Sequence, residues 1–185
     1  MSDELSIMDQ LGVSQVGCFA CGAMHELAPD VITLNCYECG KPIDLSSYKI
    51  ESLFNRRIQT HGEVFITARG KYQASNLTAG RLVVEGILEA SYECRELALG
   101  KVAHLAVAGK ADRVVILPGA RLRFSDFAHY ITTTQIRVEG HLEVELLKFN
   151  GEVVVGEGGS LSGNLEVESL MVEKGGNFEG KLSVG

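Results

Sequence analysis

From about residue 58 to residue 185, apolar and polar positions alternate in short runs, each closed by a glycine or another small residue. Leu82 and Val84 precede Gly86, and Ile136 and Val138 precede Gly140. A period of two turns every second side chain to one face, so each run reads as a short strand with one apolar side. Glycines interrupt every window long enough for a helix, so helix is not expected here. The runs also repeat. GEVVVGEGGSLSG at 151–163 aligns with ESLMVEKGGNFEG at 168–180 at an offset of 17, so that Val153 meets Leu170, Val155 meets Val172, Leu161 meets Phe178 and Gly163 meets Gly180. Val114, Ile116, Gly119, Ala120 and Leu122 hold the same places earlier in the chain. A second signature, glycine-x-Leu-x followed by alanine or valine, starts at Gly86, Gly140, Gly163 and Gly180, and the step from Gly140 to Gly163 is 23. That exceeds the repeat by about six residues, the length of one side of a three-sided turn.

A repeat of this kind cannot bury its apolar face alone and does so by stacking on its neighbours. The pattern therefore predicts an all-β fold, a single-stranded parallel β-helix over 58–185 of about six or seven rungs. At about 4.8 Å per rung that is a rod roughly 30 Å long. An antiparallel sandwich also has short strands and turns, but gives no reason for side-chain identities to recur every 17 residues. The repeat runs to Leu182, Ser183, Val184 and Gly185 with no capping pattern after it. Terminal rungs expose unpaired backbone groups that can template another chain, which makes Phe178, Leu182 and Val184 the candidate polymerisation surface.

The front of the chain follows different rules. Cys18 and Cys21 form one C-x-x-C hook followed by Gly22, and Cys36 and Cys39 form a second followed by Gly40. Two such hooks supply four thiolates, the donor set of a structural zinc ribbon, and the glycines let the backbone curl around the sulfurs. The β-prone run at 31–34 (VITL) is expected to pair as a hairpin that brings the hooks together. A segment of about 30 residues buries too little surface to fold unaided, so the metal supplies its folding energy. A rubredoxin-like iron site uses similar spacing and remains an alternative to one structural Zn²⁺. A thioredoxin-like pair is disfavoured because no βαβ pattern follows, and disulfides because no export signal precedes. His25 falls at no ligand spacing and reads as a loop residue, and Cys94, the fifth cysteine, reads as a small buried side chain.

The organisation is then a tail over 1–15, a zinc ribbon over 16–45, a linker over 46–57 and a β-helix over 58–185. In the tail, Leu5, Met8 and Leu11 could line one side of a short helix ended by Gly12, or the segment is mobile. Composition sharpens this outline. The chain has 185 residues, 45% of them apolar, with 21 glycines and only 3 prolines, which suits a core bounded by many tight turns and excludes collagen and global disorder. No stretch of about 18 apolar residues occurs, so no transmembrane span is expected, and the acidic start is unlike a secretory leader. These features point to the cytoplasm. The net charge of −7 is uneven: −6 over residues 1–45, +5 over 46–137 and −6 over 138–185.

The glycine-x-Leu-x-Val steps and the Val-x-Val-x-x-Gly-Gly-x-Leu-x-Gly rungs quoted above resemble those of the bactofilins, polymer-forming cytoskeletal proteins of bacteria, over about two thirds of the chain. The resemblance implies a right-handed, triangular β-helix that self-associates end to end without nucleotide and serves as a scaffold in cell shape, envelope growth or protein positioning. Two departures stand out. Family members typically carry short disordered tails where this chain has a ribbon, and the segment 124–135 interrupts the rung rhythm and is expected to bulge outward.

Other function classes fit less well. β-Helix acyltransferases keep strict hexads that hold here only in patches, and a three-histidine metal site is not signalled by His104, His129 and His141, spaced 25 and 12 apart. No catalytic residue is expected. Nucleic-acid binding draws on Lys and Arg, yet between residues 16 and 45 only Lys41 opposes four acids. Arg113, Arg121 and Arg123 are the better candidates for such a role. The ribbon is expected instead to dock a protein partner, as an adaptor or regulator of assembly. A non-filamentous ribbon-bearing binding protein is the alternative.

Overall fold

The structure, a computed structural model, describes residues 15–28 and 30–185. The apolar stripe of Leu5, Met8 and Leu11 lies outside the described residues. Beyond the ribbon, the chain winds as a parallel β-solenoid whose every turn has three sides. The first side begins with Tyr48–Ile50 and Glu63–Ile66 and runs through the later parts of Asn76–Val84, Ser91–Leu99 and Gly109–Ile116. It ends with Gln135–Val138, Glu152–Val155 and Ser169–Val172, each strand pairing in parallel with the next. Alternation places Val64, Leu82, Leu97, Val114, Ile136 and Val153 in register on its inner face, all essentially inaccessible to solvent.

The second side is built first by the two-residue strands Leu53–Phe54, Lys71–Tyr72, Ile87–Leu88 and His104–Leu105. Later coils supply Arg121–Asp126 and the opening parts of His141–Lys148, Ser160–Val167 and Asn177–Val184. The third side closes each coil with Ile58–Gln59 and the first halves of the long early strands. Further along it consists of Ile131–Thr132 and the second halves of the last three long strands. One apolar core runs the length of the solenoid, from Ile50 and Ile58 to Leu165 and Val167.

The 17-residue repeat is reproduced strand on strand: Val153 pairs with Leu170, Leu161 with Phe178 and Gly163 with Gly180. The longer step from Gly140 to Gly163 also has its explanation. The signature at Gly140 leads into the second side at Leu142, whereas the one at Gly163 leads into the third side at Leu165, one coil and one side later.

Two expectations are revised. The solenoid has eight turns, not six or seven, because Tyr48–Ile50 and Leu53–Phe54 already pair with the next coil inside the segment read as a linker. Three- and two-residue strands there are too brief to show periodicity. The segment 124–135 does not bulge away either. It forms a one-turn helix, Phe127–Tyr130, N-capped by Asp126, whose carboxylate accepts from the His129 N–H at 3.0 Å. Phe127 is buried in the solenoid core and meets Phe124 edge to face. Aromatic burial folds the extra residues inward, and the coil lengthens to 22 residues between Val114 and Ile136.

The described residues contain no helix long and apolar enough to cross a membrane.

Candidate metal centre and the ends of the solenoid

Each cysteine hook sits at the tip of its own antiparallel hairpin. Gln15–Gly17 pairs with Met24–Glu26 around the first hook, and Thr33–Asn35 with Pro42–Asp44 around the second. A single hairpin joining the hooks, the arrangement expected from the β-prone run, is therefore replaced by two. Their tips are closed alike. The N–H of Cys18 donates to Ala23 O and that of Gly22 to Cys18 O; Cys36 donates to Lys41 O and Gly40 to Cys36 O, all at 2.8–2.9 Å. Gly22 and Gly40 take φ of +77° and +68°, the left-handed conformation the turns require.

The four sulfurs converge. They all lie within 4.8 Å of one another, with Cys18 and Cys39 at 3.7 Å and Cys21 and Cys36 at 3.5 Å, and the cysteines form no disulfide. Tetrahedral coordination at a zinc–sulfur distance of about 2.3 Å places sulfurs about 3.8 Å apart, so the cluster can hold such an ion with little movement. Its electrostatics point the same way. The Ala20 N–H, 3.4 Å from Cys18 Sγ, draws that thiol down to about 7. The Ala23 N–H pulls on Cys21 in the same sense, but its thiol neighbours and burial outweigh that pull and raise it to about 12. Four thiolates this close repel one another, and a divalent cation supplies the charge that lets all four ionise.

His25 is not a loop residue. It lies on the strand Met24–Glu26, buried opposite Val16, its ring 4.5 Å from that of Tyr37, and its Nε2 has no hydrogen-bond partner among the described residues. The short strand shows no alternation that would have placed it. Cys94 is buried in the column of Ala79 and Ala111, and burial pushes its thiol up, as expected of a small core residue.

The ribbon abuts the solenoid directly. The imidazole of His61 stacks on Phe19 with centroids 4.0 Å apart, and its Nε2–H donates to Gly17 O at 2.9 Å. Burial lowers the His61 pKa. Asp44 O accepts from the His61 N–H, and Asp44 Oδ2 accepts from Tyr48 O–H, which holds the Tyr48 phenol up at about 12.

At the far end the final coil lies open. Val172, Leu182 and Val184 are 44%, 44% and 59% exposed, whereas their partners one coil earlier, Val155, Leu165 and Val167, are 0%, 1% and 4%. Phe178 is half-buried against the core. Arg121 and Arg123 share one strand of the second side, while Arg113 lies on the first. Arg113 is 3.9 Å from Glu96 and Arg123 3.3 Å from Glu143. These three arginines thus form no single basic patch. Among the described residues the four cysteines are the one cluster able to hold a metal ion, and no histidine joins it. No protein-family model matches the chain, and no curated protein or solved structure matches it either.

Proposed function

We propose that this protein is a cytoplasmic, bactofilin-like scaffold subunit that assembles end to end without nucleotide, its Zn²⁺-bound ribbon acting as an adaptor or regulator of assembly. The observation that carries the reading is the apolar strip of Val172, Leu182 and Val184, presented to solvent although its partners one coil earlier, Val155, Leu165 and Val167, are sealed. Burying them against another coil gains roughly 25 cal/mol per Å² of apolar surface. The free backbone edge of Ser169–Val172 and Asn177–Val184 gains a ladder of hydrogen bonds. The resemblance of the rungs to bactofilins supports the same end-to-end mode.

Negative-stain microscopy and sedimentation of the purified protein without nucleotide test this. Unbranched filaments or pelletable bundles are expected, and Val184→Arg and Phe178→Arg should abolish them while leaving a folded solenoid. Discrete particles that sediment identically in all three proteins would refute end-to-end assembly. A second reading, a non-filamentous ribbon that docks a protein, draws on Met24, Ile32 and Tyr37, which are 55%, 65% and 70% exposed on the ribbon surface. Such particles would favour it.

A further inference from the structure

Two half-buried outer arginines of the solenoid are each held by carboxylates. Arg81 bridges Glu63 and Glu96 at 3.0 and 2.9 Å, and Arg137 holds Glu139 and Glu173, both at 2.8 Å. Arg95 has no such partner. Its Nη2 is buried and finds no acceptor among the described residues, although a guanidinium withdrawn from water is costly unless it is paired.

Arg95 stands at the corner between the third and first sides, one coil after Gly80 and one before Asp112. A Cβ on Gly80 would lie 1.9 Å from His61 O, which demands glycine there, and Arg95 Nη2 packs 3.0 Å from the same point. Arg95 also lines a cavity of about 390 Å³ between ribbon and solenoid, within the ~300–1,000 Å³ range of small-molecule sites. Phe19 of the ribbon forms an apolar wall, Gln59 and Thr78 add neutral polar groups, and Glu93 and Asp112 complete the rim.

We propose that this cavity binds a small zwitterion of the α-amino-acid class, its carboxylate on Arg95 and its ammonium toward Glu93 and Asp112. Charge excludes anions, and the unpaired Arg95 guanidinium favours a ligand that brings a carboxylate with its ammonium. With one cation and two carboxylates the empty site carries a net negative charge, which repels a phosphate dianion and penalises a simple carboxylate, whereas a zwitterion adds none. The apolar wall leaves room for a hydrocarbon side chain beside Phe19. Because Phe19 belongs to the ribbon and Arg95 to the solenoid, the ligand would touch both units.

Calorimetric titration of the full-length, metal-loaded protein with L-alanine, L-leucine and L-phenylalanine tests the assignment. The same acids lacking the amine, the same amines lacking the carboxylate, and inorganic phosphate serve as comparison probes. At least one amino acid should saturate the site, and its deaminated and decarboxylated analogues should bind about tenfold more weakly or worse, the scale of a lost charged hydrogen bond. Arg95→Gln should weaken binding by a similar factor without lowering the melting temperature. Asp112→Asn should weaken the amino acid yet strengthen the simple carboxylate. Preference for phosphate, equal binding of the deaminated acid, or no saturable binding by any probe would each overturn the proposal. None of these outcomes bears on filament formation, which is read separately.

Discussion

Gly163 shows how little room a single position can have. Its φ of +133° is one that other residues rarely adopt, and a Cβ there would fall 1.8 Å from Val144 O. Gly180 repeats the arrangement over Gly163 O, again at 1.8 Å. Gly163→Ala is therefore expected to destabilise the solenoid by about 2 kcal/mol or more through combined strain and overlap, measured as a lower urea midpoint. Substituting exposed Lys181 by Ala should change it little. The equivalence of Gly163 and Gly180 was legible in the sequence as a repeat. Its cause was not, because the obstructing carbonyl belongs to the coil before and no local pattern shows it. The cysteine hooks lie at the opposite extreme: ligand type, spacing and the following glycine are all local, so the cluster could be read directly. His25 lay hidden because a three-residue strand carries no periodicity.

Elements long enough to alternate were predictable, and those held by a single distant contact were not. The inner columns of the first side follow from period two alone, whereas the first coil rests on strands of three residues or fewer and the helix Phe127–Tyr130 is a single turn. The clasp on the last coil was equally invisible. Arg137 reaches across one coil to grip Glu173 with two parallel hydrogen bonds, 2.9 and 2.8 Å, and passes close over Gly156. A bidentate pair of this kind is stronger and better defined than an ordinary surface ion pair. The hydrogen bonds from Arg137 hold the Glu173 carboxyl below its usual range. A depressed carboxyl contributes stability above the unfolded value, near pH 4.3, and loses it as pH falls through the folded value. The protection of Ser169–Val172 amides against exchange, corrected for the intrinsic rate at each pH, should accordingly fall below about pH 4.3 before that of Ser91–Leu99. Arg137→Met should make the end strand exchange fast already at neutral pH. Equal exchange of both strands across that range would show that the clasp does not secure the coil.

At the scale of the whole molecule, two cores meet through a few named contacts. Val16, Cys18, Cys36, Ile43 and Leu45 form the small core of the ribbon, separate from the continuous column of the solenoid. The smaller core buries too little surface to hold its fold unaided, while the solenoid has eight stacked coils of its own. Paired Cys36→Ser and Cys39→Ser substitutions, or chelation, should therefore melt the ribbon and leave the main solenoid transition in place, observed as loss of only the first of two thermal steps. The joint reports the event. Phe19 is carried on the first hook, and its face keeps His61 desolvated and below its ordinary pKa, while the hydrogen bond to Gly17 O pulls the other way. Arg95 lowers that pKa further and Asp44 opposes it. In the window between this lowered value and about 6.5, the undocked imidazole binds a proton that the docked one does not, so falling pH favours separation of the ribbon. Loss of the metal should free the Phe19 face and return water to the ring, raising the His61 pKa toward 6.5 in an NMR titration. A His61 titration indifferent to chelation, with Cys36 and Cys39 intact, would mean that the first hook keeps its place without metal and that the solenoid itself holds it there.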